Sequence, residues 1–336
     1  MIGILGGLAP DVRQRVRRTP QPAWVDPMLA TLTNRRFSDP NWIFETKLDG
    51  ERCLAFKRGS TIRLLSRNQQ LLNNTYPEVV EALERAGTHD VVIDGEIVAF
   101  EGNRTSFEKL QGRIGITDPE AARRSGIPVF YYVFDLVHVD GYDITRVGLT
   151  LRKGLLRKAL NFRGPVRFET HRNTDGEVYY REACAKGLEG VIAKRRDSEY
   201  SPGRRSPDWL KFKCINEQEF VIGGFTDPAG SRVGFGALLV GYYERGRLSY
   251  AGKVGTGFDT AMLLSLRRKL DARKTSRSPF ADEVKEKGAH WVKPELVAQL
   301  GFSEWTRDGK LRHPRFLGLR TDKAATDVVR ERPQPA

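Results

Sequence analysis

The amino-acid sequence predicts an α+β fold divided into two domains. Short strand-like runs interleave with helical stretches but lack the regular βαβ spacing of a doubly wound sheet. Past Cys214 the texture changes, and glycine-rich strand-like runs take over. The length, 336 residues, leaves room for two cores at roughly 150 residues per domain.

Residues 1–21 combine weak periodicity, an arginine-rich stretch and the start of the Pro20-Gln21-Pro22 punctuation. They predict a basic flexible extension, or a mis-called start codon. The first domain, 22–215, shows strand-like runs at 42–45, 53–56 and 62–65. Val79, Val80 and Leu83 give 76–86 a helical spacing, and 149–160 reads as a second helix. Further strands are expected at 91–93, 97–100, 130–136, 190–194 and 209–213. The boundary is placed at 215–218. The second domain, 219–325, has strand-like runs over 219–257, a helix over 260–270 and a last strand region over 290–319. About five short strands and one helix in roughly 110 residues suit a small OB-fold β-barrel, with 326–336 as a tail. No internal repeat is found.

Composition narrows the class. The chain is 39% hydrophobic and 29% charged, too apolar for a disordered protein. No apolar run reaches the roughly 18 residues of a membrane span. The apolar stretch 1–9 precedes its arginines (Arg13, Arg15, Arg17, Arg18), the reverse of a secretory signal, so a cytoplasmic protein is expected. Cys53, Cys184 and Cys214 form no C-x-x-C pair, and neither a disulfide framework nor a zinc finger is expected. The net charge of +14 suits a polyanion or a highly phosphorylated substrate, or a basic surface kept for solubility.

Six segments could carry chemistry. Glu45-Thr46-Lys47-Leu48-Asp49-Gly50-Glu51-Arg52 lies between two strand-like runs. Asp-Gly there reads as a hairpin turn, but a lysine at a strand end is also placed to act as a nucleophile. An amine attacks only when neutral, so its pKa is expected to be depressed by cations or burial. The other Asp-Gly pairs at 140–141 and 308–309 read as plain turns. The pair at 94–95 sits in Val91-Val92-Ile93-Asp94-Gly95-Glu96-Ile97, again a hairpin, or else a strand carrying two carboxylates on one face. In the third segment, alternation puts Phe130, Tyr132, Phe134 and Leu136 on one face, most of it core. Glu189-Gly190-Val191-Ile192-Ala193-Lys194 and Trp209-Leu210-Lys211-Phe212-Lys213 follow. In the latter, two lysines share a strand face, an arrangement that suits a triphosphate. A basic run, Arg312 to Lys323, closes the set and reads as a surface patch.

In this order and spacing the segments resemble the covalent nucleotidyltransferases, and specifically the ATP-dependent DNA ligases. The Lys47–Arg52 element looks like their motif I, and Ser66-Arg67-Asn68 like Ia. Asp94-Gly95-Glu96 looks like III, Phe134-Asp135 like IIIa, the Glu189 segment like IV, the Lys211 segment like V and 312–323 like VI. The style is similar to the bacterial repair type, the ligase module of ligase D. The resemblance implies a nucleotidyltransferase (adenylation) domain followed by an OB-fold domain. It also implies ATP, Mg²⁺ or Mn²⁺, and nicked double-stranded DNA as substrate. Lys47 would form lysyl-AMP, AMP would pass to the 5′-phosphate, and the 3′-hydroxyl would displace it. Glu45 would contact the adenine edge and Phe134 would stack on the base, while Thr46 and Lys194 would belong to the ATP-binding set without a specific role. Arg52 and Glu96 would handle ribose and phosphate, and Glu96 and Glu189 the metal. Lys211 and Lys213 would meet the α-phosphate, and Arg67 the 5′-phosphate of DNA. Arg312, Arg320, Asp322 and Lys323 would act on the β,γ-phosphates, with 215–218 as a hinge. A monomer without membrane attachment is expected, its basic arm and overall charge of +14 partly replacing the DNA-encircling domain of larger ligases. The competing readings are a GTP-using mRNA capping guanylyltransferase or RNA ligase, and a non-catalytic nucleic-acid-binding protein.

Overall fold

The computed structural model describes residues 3–214 and 216–333, and the chain divides into two compact units between Cys214 and Ile215. Ile215, the first residue of the expected hinge, lies outside the described residues. Asn216, Glu217 and Gln218 are not linker: they open the Asn216–Thr226 strand and pair with Phe302, Gly301 and Leu300.

The first unit is built on an eight-stranded and a five-stranded sheet. Trp42–Thr46 belongs to the smaller sheet, whereas Glu51–Arg58 lies in the larger one beside Thr61–Ser66 and Val91–Glu101. Lys47 to Gly50 therefore cross from one sheet to the other, which excludes the hairpin reading of Asp49-Gly50. Gly50 is needed for close approach, because a Cβ there would fall 2.2 Å from the Ile97 carbonyl oxygen. Asp94-Gly95 is no hairpin either, since Val91–Glu101 is one continuous strand. Asp140-Gly141, by contrast, has φ of 48° and 82°, the turn geometry expected of it.

The Val129–Val139 strand breaks the expected alternation twice. Against Val91–Glu101 its register shifts between the Asp94 and Gly95 pairings and again between the Val92 and Ile93 pairings, so Phe134 and Val137 are each an extra, bulged residue. Leu136 consequently packs in the larger core with Tyr131 and Val133, while Phe134 joins a separate cluster with Trp209 and Leu149. The helices at Pro77–Glu84 and Leu149–Ala159 cover the larger sheet, and Gly176–Ala185, which periodicity did not single out, covers the smaller one.

Two expectations are overturned here. The extension is folded, not flexible: Leu5 and Leu8 are buried in the core, and Arg17 and Arg18 pair with Asp143 and Tyr142. Its apolar residues, read as part of a loose arm, find the Leu149–Ala159 side of the domain. The cysteines also pair once, Cys184 to Cys214, leaving Cys53 buried and free. Three cysteines 30 or more residues apart gave no spacing signal, and only the fold brings the two Cα atoms to 5.2 Å.

In the second unit, Asn216–Thr226 pairs with Leu238–Glu244 on one side and Val297–Phe302 on the other. Arg247–Val254 extends one end and Arg315–Arg320 the other, and a parallel bridge from Thr256 to Arg315 closes the ring. This five-strand closure, with the Thr260–Asp271 helix between third and fourth strands, is the OB-fold barrel. No described helix is long and apolar enough to cross a membrane.

Candidate active site

Pairing register defines one face of the small sheet. Glu45 lies opposite Ile192, which lies opposite Lys211; Gly190 lies opposite Lys213, and the Lys47 backbone N–H donates to the Gly190 carbonyl at 2.9 Å. Residues directly opposite share a face, and residues two apart return to it. Glu45, Lys47, Ile192, Lys194, Lys211 and Lys213 therefore project from the same side. The other side, with Phe44, Val191, Ala193 and Phe212, is apolar and packs beneath Gly176–Ala185. Gly190 sits between the two lysines of the end row because a Cβ there would strike the Phe212 carbonyl.

The Lys47 ammonium forms an ion pair with Glu189. Burial by itself would lower its pKa, but Glu189, aided by Asp49 and Glu96, pushes it well above the ordinary lysine value. The expectation of a depressed pKa is thus reversed in the free protein, since carboxylates rather than cations dominate the surroundings. The Asp49 carboxylate accepts from Phe107 N–H at 2.8 Å, which ties the crossover to the neighbouring turn.

Behind Lys47 lies a buried charge cluster. Glu45 accepts from Lys153 at 2.5 Å and meets Lys194 at 2.6 Å. Burial would raise the Glu45 pKa, but the two lysines outweigh it and hold the carboxyl below its ordinary value. Lys194 is pushed down by burial and by Lys153. Its ammonium also lies 4.1 Å from the Phe134 ring centre and 4.0 Å from that of Trp209. Arg52 approaches Phe134 to 4.7 Å and makes a two-bond pair with Asp94, which also accepts from Tyr200. Phe134 is therefore a buried ring contacted by two cations, not an open platform. Glu96 lies opposite Arg52 on the neighbouring strand, and Arg67 follows Ser66, the partner of Cys53.

Glu96 and Glu189 offer hard carboxylate oxygens around Lys47, the donor chemistry that suits a small divalent cation. Thr46 turns to the helical side, where its hydroxyl meets Tyr179 at 2.6 Å. Beside it opens a cleft of about 870 Å³ lined in part by Thr170, His171, Arg172 and Lys186.

Sequence reasoning missed Lys153, Glu169 and Tyr200. Lys153 had a signal: Leu149, Arg152, Lys153 and Leu156 occupy the buried stripe of one helix, so two cations stood at core positions and needed partners. Arg152 finds Asp135 with two bonds of 2.8 Å, making Asp135 a structural anchor. In the barrel unit, Arg320 pairs with Asp322, Lys323 with Glu219, and exposed Arg312 with Glu304.

Two family models match the chain. One, described as ATP dependent DNA ligase domain, covers residues 27–213, and the other, ATP dependent DNA ligase C terminal region, covers 231–323. A multifunctional non-homologous end joining protein, LigD, of Pseudomonas aeruginosa is 39% identical over 325 residues, which is 94% of this chain and 38% of that protein. The LigD of Mycobacterium tuberculosis H37Rv is 38% identical over 91% of this chain and 40% of its own length. The chain thus spans about two-fifths of the curated relatives it matches. Among solved structures, mycobacterial DNA ligase D complexed with ATP and MES superposes with a TM-score of 0.65 at 36% identity. That match covers 91% of this chain and 98% of the other.

Proposed function

We propose, from the premise that the chain belongs to the ATP-dependent DNA ligase family, that it seals nicks carrying 3′-hydroxyl and 5′-phosphate ends through a lysyl-AMP intermediate. The observation that carries this reading is the single sheet face on which Lys47, Lys211 and Lys213 project beside the Glu189 carboxylate.

Lys47 Nζ, once deprotonated, attacks the α-phosphorus of ATP. A P–N bond forms, the bond to the bridging oxygen breaks, and pyrophosphate leaves. Lys211 and Lys213 supply positive charge to the phosphates, and Arg67 takes the 5′-phosphate of the nick. The AMP then moves to that phosphate, and the 3′-hydroxyl displaces it. Glu96 and Glu189 would hold a divalent ion, which neutralises charge developing on the phosphoryl oxygens. Splitting one condensation into successive in-line transfers lets the ATP free energy be stored on the protein before DNA arrives.

From the barrel unit, Arg312 and Arg320 act on the β,γ-phosphates. The end-joining role in the name of LigD supports a role in DNA break repair. In place of a free basic arm, the folded N-terminal segment offers fixed surface arginines, Arg17 and Arg18, to DNA phosphates. The capping and non-catalytic readings have no comparable support.

The test begins with pyrophosphate treatment to clear adenylate carried from the host. The protein then meets magnesium and either ATP or GTP without DNA, and its intact mass is recorded. One AMP added from ATP, absent in Lys47→Ala, is the expected result. A GMP adduct, or none in a folded sample, overturns the reading.

A further inference from the structure

Cys184 and Cys214 are joined by a disulfide that no step described above uses. Cys184 lies in the last turn of the Gly176–Ala185 helix, and Cys214 directly follows Lys213, the end of the Arg205–Lys213 strand. The Cys214 backbone N–H donates to the Glu189 carbonyl at 2.9 Å, and Gly190 lies opposite Lys213. Only four residues separate Cys184 from Glu189, and the Gly187 and Leu188 N–H groups close that turn on the Cys184 and Ala183 carbonyls. The bridge therefore completes a small ring. It holds Glu189, the ion-pair partner of Lys47, and the end of the strand that carries Lys213. From the same helix, one turn before Cys184, the Tyr180 hydroxyl donates to the Lys213 carbonyl at 3.1 Å. Both bridging cysteines are half-buried and within reach of a small thiol, whereas Cys53 is fully enclosed.

We propose that the Cys184–Cys214 pair is a thiol–disulfide exchange site, opened by low-molecular-weight thiols and closed by their disulfides, whose closed form sets Glu189 and Lys213 for adenylation. This deepens the ligase reading above and rests on it.

Opening proceeds by two exchanges. A small thiolate attacks one protein sulfur and the S–S bond breaks, which leaves a mixed disulfide and one free cysteine. A second small thiolate then attacks the small-molecule sulfur of the mixed disulfide. The other cysteine is released, and the small disulfide departs. The protein gains two electrons and two protons, both supplied by the two small thiols. Closure is the reverse, with the small disulfide as oxidant.

The exchange alters freedom rather than contacts. With the bridge closed, a covalent bond fixes the residue after Lys213. With it open, that strand end keeps hydrogen bonds alone, and terminal hydrogen bonds open locally. Lys213 occupies the last register pair of the strand, so fraying displaces a lysine assigned to the phosphates and pulls on Glu189 through its carbonyl. Lys211 is two residues further in, paired with Ile192, and stays in place. Charge serves an in-line transfer only where it is correctly positioned, so opening slows the chemistry.

The test uses the full chain, cleared of adenylate with pyrophosphate and equilibrated in glutathione buffers stepped from fully oxidised to fully reduced. Alkylation and intact mass give the state of the pair. The single-turnover rate of AMP uptake at saturating ATP is read at each step, below the unfolding transition of either form. Opening should lower that rate roughly tenfold, and its midpoint should coincide with that of the alkylated pair. The double variant Cys184→Ser, Cys214→Ser should take up AMP at the reduced wild-type rate in every buffer. Should the variant fail to fold, the two wild-type midpoints decide. A rate that ignores the buffer, a rate that rises on opening, or a pair that keeps one state throughout overturns the proposal and leaves the ligase reading intact. So does a folded double variant that still responds to glutathione. Absence of AMP uptake in every buffer, in folded protein, defeats the ligase reading itself.

Discussion

The ammonium of Lys47 and the carboxylate of Glu189 are locked as an ion pair across the end of the small sheet, although the proposed mechanism needs each of them free for another task. The pairing keeps Lys47 protonated and unreactive in the free protein. In the proposed mechanism activation must separate the pair, and a divalent ion held by Glu189 and Glu96 would supply charge that competes with the Lys47 ammonium for the Glu189 carboxylate.

Lys47 should accordingly resist an amine-acylating reagent in the absence of nucleotide. Because its pKa lies above the working range, the free-amine fraction, and with it the adenylation rate, should climb about tenfold per pH unit. Glu189→Gln should increase acylation of Lys47, read by peptide mass mapping, while slowing AMP uptake by roughly a hundredfold. Equal acylation in both proteins would show that the pair does not control reactivity.

Asp135 and Arg152 are both fully buried and joined by two hydrogen bonds. Asp135→Ala leaves a guanidinium uncompensated in the core and should cost about 3–5 kcal/mol in denaturant unfolding. Replacing Arg152 by Leu in the same protein should recover part of that loss. If the double variant is no more stable than Asp135→Ala, the cost belongs to packing rather than to the stranded charge.

Glu169 also makes stability depend on pH. Its folded pKa, about 8, lies above its ordinary 4.5, so the folded state holds a proton that the unfolded state has released between those values. Its contribution is fully present below about pH 4.5 and declines as pH rises towards 8, at up to roughly 1.4 kcal/mol per unit. Unfolding free energies of Glu169→Gln should lack this component. A parallel dependence in the two proteins would place the proton elsewhere.

The Cys184–Cys214 bridge closes a loop with a sequence separation of 30. Wild-type protein purified without reductant should be lighter by two hydrogens than its reduced form, with one thiol, Cys53, remaining free. Reduction should lower stability by about 3 kcal/mol through the added freedom of the unfolded chain. Three alkylatable thiols in unreduced, denatured protein would count against the bridge.

Legibility along this chain followed the range of the interaction. The helix at 149–160 and the strands near 42, 53 and 62 could be read directly, because apolar period depends on near neighbours alone. The Gly176–Ala185 helix escaped notice: its buried residues are few, and its core partner, Phe44, lies far away in sequence. The order of Lys47, Glu96, Glu189, Lys211 and Lys213 was also readable, since chemistry is carried by residue type.

What the sequence by itself determined is many of the elements, the two-domain division and the candidate site side chains, all properties of composition and local pattern. Tertiary structure alone decided their electrical state. Whether Lys47 is charged depends on Glu189, and whether Glu45 can touch a ligand depends on Lys153, 108 residues away. It also decided that Asp49-Gly50 crosses between sheets and that a bulge re-aims Phe134. Desolvation and ion pairing act over a few ångströms in space, and only the folded chain brings those groups within that distance.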